Sequence, residues 1–303
     1  MNAAPVLIAY TALLGYVAPR LMLRSSWPHR APALAAAVWH ALAVAFSITA
    51  ALAAYNLAVP TEHLHAGLVG LLHSCGLDVG SAHPDPDTAD RLAVSLPATI
   101  VAALVASFAF YLVRARRART RHRKAVDLVG RHSPHLNAIV LPYDVPAAYC
   151  LPGLRPRIVI SEAAVRCLTP EQLDAVLAHE QSHVTGRHHL ALIAMEAFRS
   201  VFRRLPLARH AREQTALLLE MVADDRALRT HSRDALATVM YKMAQARTPA
   251  GALSAGGQTV LIRLRRVLGP RRTAHPVLWG SMAVAAVTTP LLPLVIACPP
   301  GLG

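Results

Sequence analysis

Four runs of this chain are each long enough to cross a bilayer as a helix and nearly free of charge: Ala4 to Met22, Leu34 to Val59, Leu92 to Val113 and Pro276 to Ala297. A hydrocarbon core needs about 20 mostly apolar residues in a helix, because every backbone N–H and C=O must be satisfied within the segment. A chain with four such runs is not expected to fold as an ordinary soluble domain. Composition agrees: 54% of residues are hydrophobic and 16% charged, yet the formal net charge is +14, and the mean hydropathy is +0.37. Apolar spans flanked by basic loops give this combination. A nucleic-acid binder would be basic without long uncharged runs, so no direct nucleic-acid contact is expected.

The loops sort by charge. Arg20, Arg24 and Arg30 lie around the first loop, whereas Thr61 to Asp90 has no Lys or Arg and holds Glu62, Asp78, Asp85, Asp87 and Asp90. The third span runs into Arg114, Arg116, Arg117, Arg119, Arg121, Arg123 and Lys124, and Arg263, Arg265, Arg266, Arg271 and Arg272 precede the fourth. The positive-inside rule then puts the N- and C-termini outside, the 60–91 loop outside, and the segment between the third and fourth spans in the cytoplasm. The first positive side chain, Arg20, follows the first apolar run instead of preceding it, so a retained span is expected and not a cleaved signal peptide.

The sequence thus divides into a membrane region over 1–113 (spans at about 4–22, 34–59 and 92–113), a cytoplasmic domain over 114–273, and a fourth span with a short outer tail over 274–303. His63, His65, His73 and His83 show no repeated ligand spacing and read as a solvated outer loop. No two cysteines form a C-x-x-C pair. Cys75 and Cys298 both fall on the outer side, where a disulfide between them is open.

Within 114–273, Asn137 to Leu141 and Arg157 to Ser161 read as strands. Thr169-Pro170-Glu171-Gln172 is a helix start, with Thr as N-cap, Pro at the first position and Gln closing a capping box. Helices are expected from there through His183, from His188 to about Arg203, from Ala211 to Leu228 and from Arg233 to Ala246. The domain is therefore helix-rich α+β.

On the first of these helices stands His179-Glu180-Gln181-Ser182-His183. Histidines at i and i+4 share a helix face and can both present a ring nitrogen to one tetrahedral metal. Glu180 lies beside them, where it can take a proton from the attacking water. Residue types and spacing together point to a zinc metallopeptidase. A catalytic zinc needs a third protein ligand, and two are available. His189 follows Gly186 at the spacing of the metzincin pattern. Glu220 is the other. It shares a helix face with Asp224, which can accept the remaining ring proton of a ligand histidine. Glu220 is preferred, because the text after His189 resumes a helical apolar pattern and no loop carries a clear Met-turn. His188 and His189 then read as a helix N-terminus facing solvent or headgroups. Tyr241, His231 and Arg226 are the candidates for stabilising an oxyanion.

On His179-Glu180-x-x-His183, Glu220-x-x-x-Asp224, the strand text Pro156-Arg157-Ile158-Val159-Ile160 and the order of the four spans, the chain resembles the BlaR/MecR family of integral-membrane zinc metallopeptidases. The resemblance implies a gluzincin-like cytoplasmic domain, Zn2+ held by His179, His183 and Glu220, Glu180 as general base, and Asp224 behind a ligand histidine. It also implies that Arg157 to Ser161 is a strand beside the cleft, along which an extended substrate pairs. The best-known sensors of that family carry a penicillin-binding domain after the fourth span. Here only Cys298 to Gly303 follow it, so the likeness is to the short members, and direct β-lactam sensing is not expected. The implied substrate is a winged-helix repressor of the BlaI/MecI type. The alternatives are membrane-protein quality control of the HtpX type and a signalling scaffold with a structural zinc site. The lipid bilayer is the other implied partner, and a homo-oligomer is open.

Overall fold

The structure is a computed structural model that describes residues 3–58, 88–153, 155–247, 255–270 and 276–297. The loop with the four histidines, Cys75 and Cys298 lies outside the described residues.

Among the described residues, four helices are long and apolar enough to cross a membrane. They cover Ala4–Arg24, Pro32–Leu57, Ser95–Val129 and Trp279–Ala297. The first, α1 (Ala4–Arg24), widens into a π turn over Leu13–Val17. Pro19 follows that turn and has no N–H to offer the Gly15 carbonyl, which accounts for the widening. The others are α2 (Pro32–Ala58), α3 (Thr88–Val129) and, last in the chain, α10 (Pro276–Ala297). Helix α3 has 42 residues, because the basic run Arg114 to Lys124 continues the apolar span without a break. It ends at Gly130, where a Cβ would collide with Ile139 and the Val126 carbonyl.

Four short strands follow: β1 (Arg131–Ser133), β2 (Ala138–Leu141), β3 (Ala148–Leu151) and β4 (Arg157–Ser161). Their order is β1-β2-β4-β3. The β2–β4 pair is parallel, with Ile139 opposite Val159, and the two outer pairs are antiparallel. This corrects the expectation for Arg157 to Ser161. That strand is interior, with neighbours on both sides and Ile158 to Ser161 buried. No edge of it is open to a substrate. The sheet's edge strands among the described residues are β1 and β3, and the one beside Glu180 is β3, which the apolar pattern did not single out.

The helices after the sheet are α4 (Glu162–Cys167), α5 (Pro170–Thr185), α6 (His188–Val201), α7 (Pro206–Ala227), α8 (Arg233–Arg247) and α9 (Ala255–Leu268). At the start of α5 the Thr169 side chain accepts from Gln172 N–H while the Gln172 side chain accepts from Thr169 N–H, so the capping box is formed. Leu173 and Val176 of α5 join Ile158, Ile160 and Val239 in a core between sheet and helices.

A second core is shared between the apolar helices and the helical segment. Trp39 and Phe46 of α2 pack with Met195 and Phe198 of α6 and with Leu207, Leu218 and Met221 of α7. The turn joining α6 to α7 reaches far along the first two helices. Phe202 stacks edge-on against Phe46 with ring centroids 5.1 Å apart, and Leu205 lies against Gly15. The helical segment is therefore wedged into the apolar helices and is not a separate body beside them.

Candidate metal centre

Helix α5 carries His179 and His183 on one face, and α7 crosses it with Glu220 facing them. Met221 and Leu218 of α7 are fully buried against α2, which fixes the helix's rotation and turns Glu220 the other way. His179, His183 and Glu220 each offer a ligand atom within 4.8 Å of the others. The separations are 3.2 Å between the two Nε2 atoms, 3.5 Å from His179 Nε2 to Glu220 Oε2 and 3.4 Å from His183 Nε2 to Glu220 Oε1. A tetrahedral metal with bonds near 2.0–2.1 Å has ligand–ligand edges of roughly 3.3 Å, so this donor set fits zinc. His189, the other candidate ligand, is not part of this cluster. It sits on α6 within the field of Arg119 of α3 and Arg187.

Behind the donors lies a second layer of polar groups. Asp224 is completely buried, with Oδ1 3.1 Å from His179 Nδ1. The approach is off the ring N–H direction, so no hydrogen bond is formed there. A small rotation of the ring would form one. His183 is held from behind by His188, whose Nδ1 is 2.8 Å from His183 Nδ1. His188 is buried, contrary to its reading as a solvent-facing residue. It reaches His183 because Gly186 leaves room: a Cβ there would collide with the His188 ring. Arg187, in left-handed backbone at φ 49°, turns the chain so that α6 starts on this side. Gly186 thus serves His188, not His189.

Arg263 of α9 completes this layer. Its Nη1 donates to Glu220 Oε2 at 2.7 Å, while Nε and Nη2 donate to Asp224 at 2.8 and 2.7 Å. The sequence marked Arg263 only as one of the charges before the fourth span. Its one local signal is that it shares the inward stripe of α9 with Val260, Leu264 and Val267.

The electrostatics follow from burial against these contacts. For His179, burial opposes the charge, but the Asp224 and Glu220 carboxylates outweigh it and hold the imidazole at about 9 before a metal binds. His183 is pushed down to about 4, chiefly by burial. Burial raises Glu220 and Asp224, yet His179 and Arg263 prevail and hold each at about 2. Two carboxylates stay ionised against two rings, one of which readily gives up its proton to a metal.

Glu180, next to His179, faces the sheet. Cys150 of β3 lies opposite it, and burial first and the Glu180 carboxylate second push the thiol up to about 12. Cys150 is thus a neutral side chain lining the site, another residue that its spacing in the sequence did not mark. Of the three oxyanion candidates, Tyr241 is exposed, His231 bonds the Ala227 carbonyl and Thr230, and Arg226 donates to Thr185 at the end of α5.

Neither the curated proteins nor the solved structures gave a match to this chain. A little under half of it, residues 113–248, matches the model of Peptidase family M48, a family of zinc metallopeptidases, and that stretch holds the sheet, both histidines, Glu220 and Asp224. The segment built around the His-His-Glu cluster is thus similar to the M48 peptidases, which supports a metallopeptidase.

Proposed function

We propose that this protein is a membrane-anchored zinc endopeptidase that cleaves a cytoplasmic protein, and that the substrate is a winged-helix repressor of the BlaI/MecI type. The observation that carries the peptidase reading is the convergence of His179, His183 and Glu220 beside Glu180. A closed structural zinc site would have no use for Glu180, which argues against a scaffold. Zinc bound there would act as a Lewis acid towards the scissile carbonyl. Glu180 takes the proton of the attacking water and later gives it to the leaving amine. Asp224, 3.1 Å from His179 Nδ1, would fix that ring once it turns to donate, and His188 backs the His183 ring, so that both Nε2 atoms point at one place.

The edge of β3 gives this reading its substrate geometry. Ser161 N–H donates to the Ala147 carbonyl, so in the antiparallel β3–β4 pair Tyr149 also faces its partner. Ala148 and Cys150 then present N–H and C=O to the free edge, beside Glu180. An extended polypeptide adding there as a strand would bring its backbone past the metal centre.

The membrane part rests on charge and exposure. The apolar windows of α3 and α10 are only 6% buried within the protein, a surface that lipid would cover. Arg266 Nε donates to the His29 carbonyl at 2.7 Å, so the first basic loop and the basic segment before α10 lie together, as the same-side assignment requires. One observation favours a second reading, membrane-protein quality control of the HtpX type. Leu218 and Met221, which flank Glu220, share a core with Trp39 and Phe46 of α2, so the centre lies close to a span where a membrane-borne substrate would arrive.

Glu180→Gln should retain zinc and abolish cleavage. Survival of repressor cleavage in cells carrying that variant would refute the peptidase reading. A wild-type protein that leaves the repressor intact but removes misfolded membrane proteins would favour the second reading.

A further inference from the structure

Away from the metal centre, two adjoining cavities of about 550 and 450 Å3 open where the first loop, the end of α7 and the end of α9 meet. They share Arg30, Asp225 and Arg229. Arg233, Arg265 and Arg266 line the first, and Arg226 the second. Six guanidinium groups thus surround one carboxylate, and that carboxylate is taken: Arg266 Nη2 donates to Asp225 Oδ2 at 2.6 Å. Arg233 is spent on the Gly269 carbonyl and Arg226 on Thr185. Arg30, Arg229 and Arg265 have no side-chain partner among the described residues. The field is felt locally, since burial and then Arg266 push His29 below its ordinary value. Confining like charges in one cavity is costly unless an anion joins them.

The second cavity differs in its walls. Leu34 is in the first turn of α2, Val222 is on α7 and Trp279 is near the start of α10. Trp279 is 53% exposed although it begins an apolar helix, the position at which Trp marks a membrane–water interface. A basic cavity that continues into an apolar groove between two spans suits a ligand with a phosphate at one end and hydrocarbon at the other. A free phosphate would use only the first half.

We propose that this is a binding site for the phosphate of an anionic phospholipid headgroup, held by Arg30, Arg229 and Arg265 with its acyl chains along Leu34 and Trp279. The headgroup would sit between α7 and α9, the two helices that Arg263 and Arg266 already tie together.

The test uses the full-length protein in detergent, with phosphatidylglycerol, phosphatidylcholine of the same acyl chains and inorganic phosphate as probes. Retained lipid is read by native mass spectrometry and stability by thermal melting. Phosphatidylglycerol should be retained about tenfold over phosphatidylcholine and should raise Tm, the scale expected of two or three basic residues near a headgroup. Arg229→Gln with Arg265→Gln should abolish the preference, whereas Arg117→Gln with Arg121→Gln on the exposed face of α3 should leave it intact. Equal retention of the two lipids, or a preference that survives the Arg229 and Arg265 changes, would overturn the site. An equal rise in Tm from inorganic phosphate would overturn the lipid as its source. None of these readings depends on peptidase activity.

Discussion

Arg263 grips Asp224 through a two-point fork, Nε to Oδ2 at 2.8 Å and Nη2 to Oδ1 at 2.7 Å, with Asp224 fully buried. The pair joins α9 to the helix that carries Glu220, and only a guanidinium matches both carboxylate oxygens at once. Removing one partner strands a buried charge. Arg263→Ala should therefore lower unfolding stability by roughly 3–5 kcal/mol. Adding Asp224→Asn to it should recover part of that loss, since the stranded charge is then gone. Thermal melting of the two single variants and the double variant checks this. A double variant whose loss equals the sum of the single losses would mean that the pair is not coupled.

The same pair sets a dependence on acid. Asp224 is held at about 2 in the folded protein, against an ordinary value of about 3.9. A depressed carboxylate contributes stability that is fully present above its unfolded value and is lost as pH falls through its folded value. Asp224 should thus contribute roughly 2 kcal/mol above pH ~4, fading between pH ~4 and ~2. Melting curves across that window should fall more steeply for the wild type than for Asp224→Asn. Parallel curves would contradict the assignment.

Metal uptake should carry its own proton signature. His179 is held at about 9 before a metal binds, so at neutral pH its ring is charged. A metal needs the neutral ring, so binding must displace that proton. Zinc titrated into metal-free protein at pH 7 should release about one proton from this residue. Its apparent affinity should rise about tenfold per pH unit up to roughly pH 9, then level off. Calorimetry in buffers of different ionisation enthalpy measures the release directly. In Asp224→Asn, where one of the carboxylates that hold the proton is gone, the release at pH 7 should shrink.

What could be read in advance at this site was what is local. His179 and His183, Glu220 and Asp224, and Thr169 and Gln172 are each three or four residues apart on one helix, and helical geometry alone brings each pair together. Glu220 facing the histidines follows less directly, from the apolar stripe that buries α7 on its other side. Arg263 escaped because it lies 43 residues from Glu220, and no spacing rule links α9 to α7. The open edge at β3 escaped because strand order is a property of the whole sheet. β4 is the more apolar strand because it is interior, and that same apolarity drew attention to it. The wedging of α6 and α7 among the apolar helices escaped for a related reason. Helix α6 is too short and too charged to span a membrane, yet its apolar stripe still has to be buried, and α2 buries it.

His188 tests how far the layer behind the metal reaches. Its Nδ1 is 2.8 Å from His183 Nδ1, so with Nε2 of His183 on a metal, the ring proton at His183 Nδ1 is donated to His188. Losing such a partner typically costs about 10- to 100-fold in metal affinity. His188→Ala should weaken zinc binding by that range, and Gly186→Ala should do so too, because its Cβ would displace the His188 ring. His189→Ala, one residue on, should leave zinc affinity unchanged. Competition titrations against a chelator give all three values. If His189→Ala lost zinc while His188→Ala kept it, the third ligand would be His189 and the metzincin pattern would replace the arrangement built on Glu220.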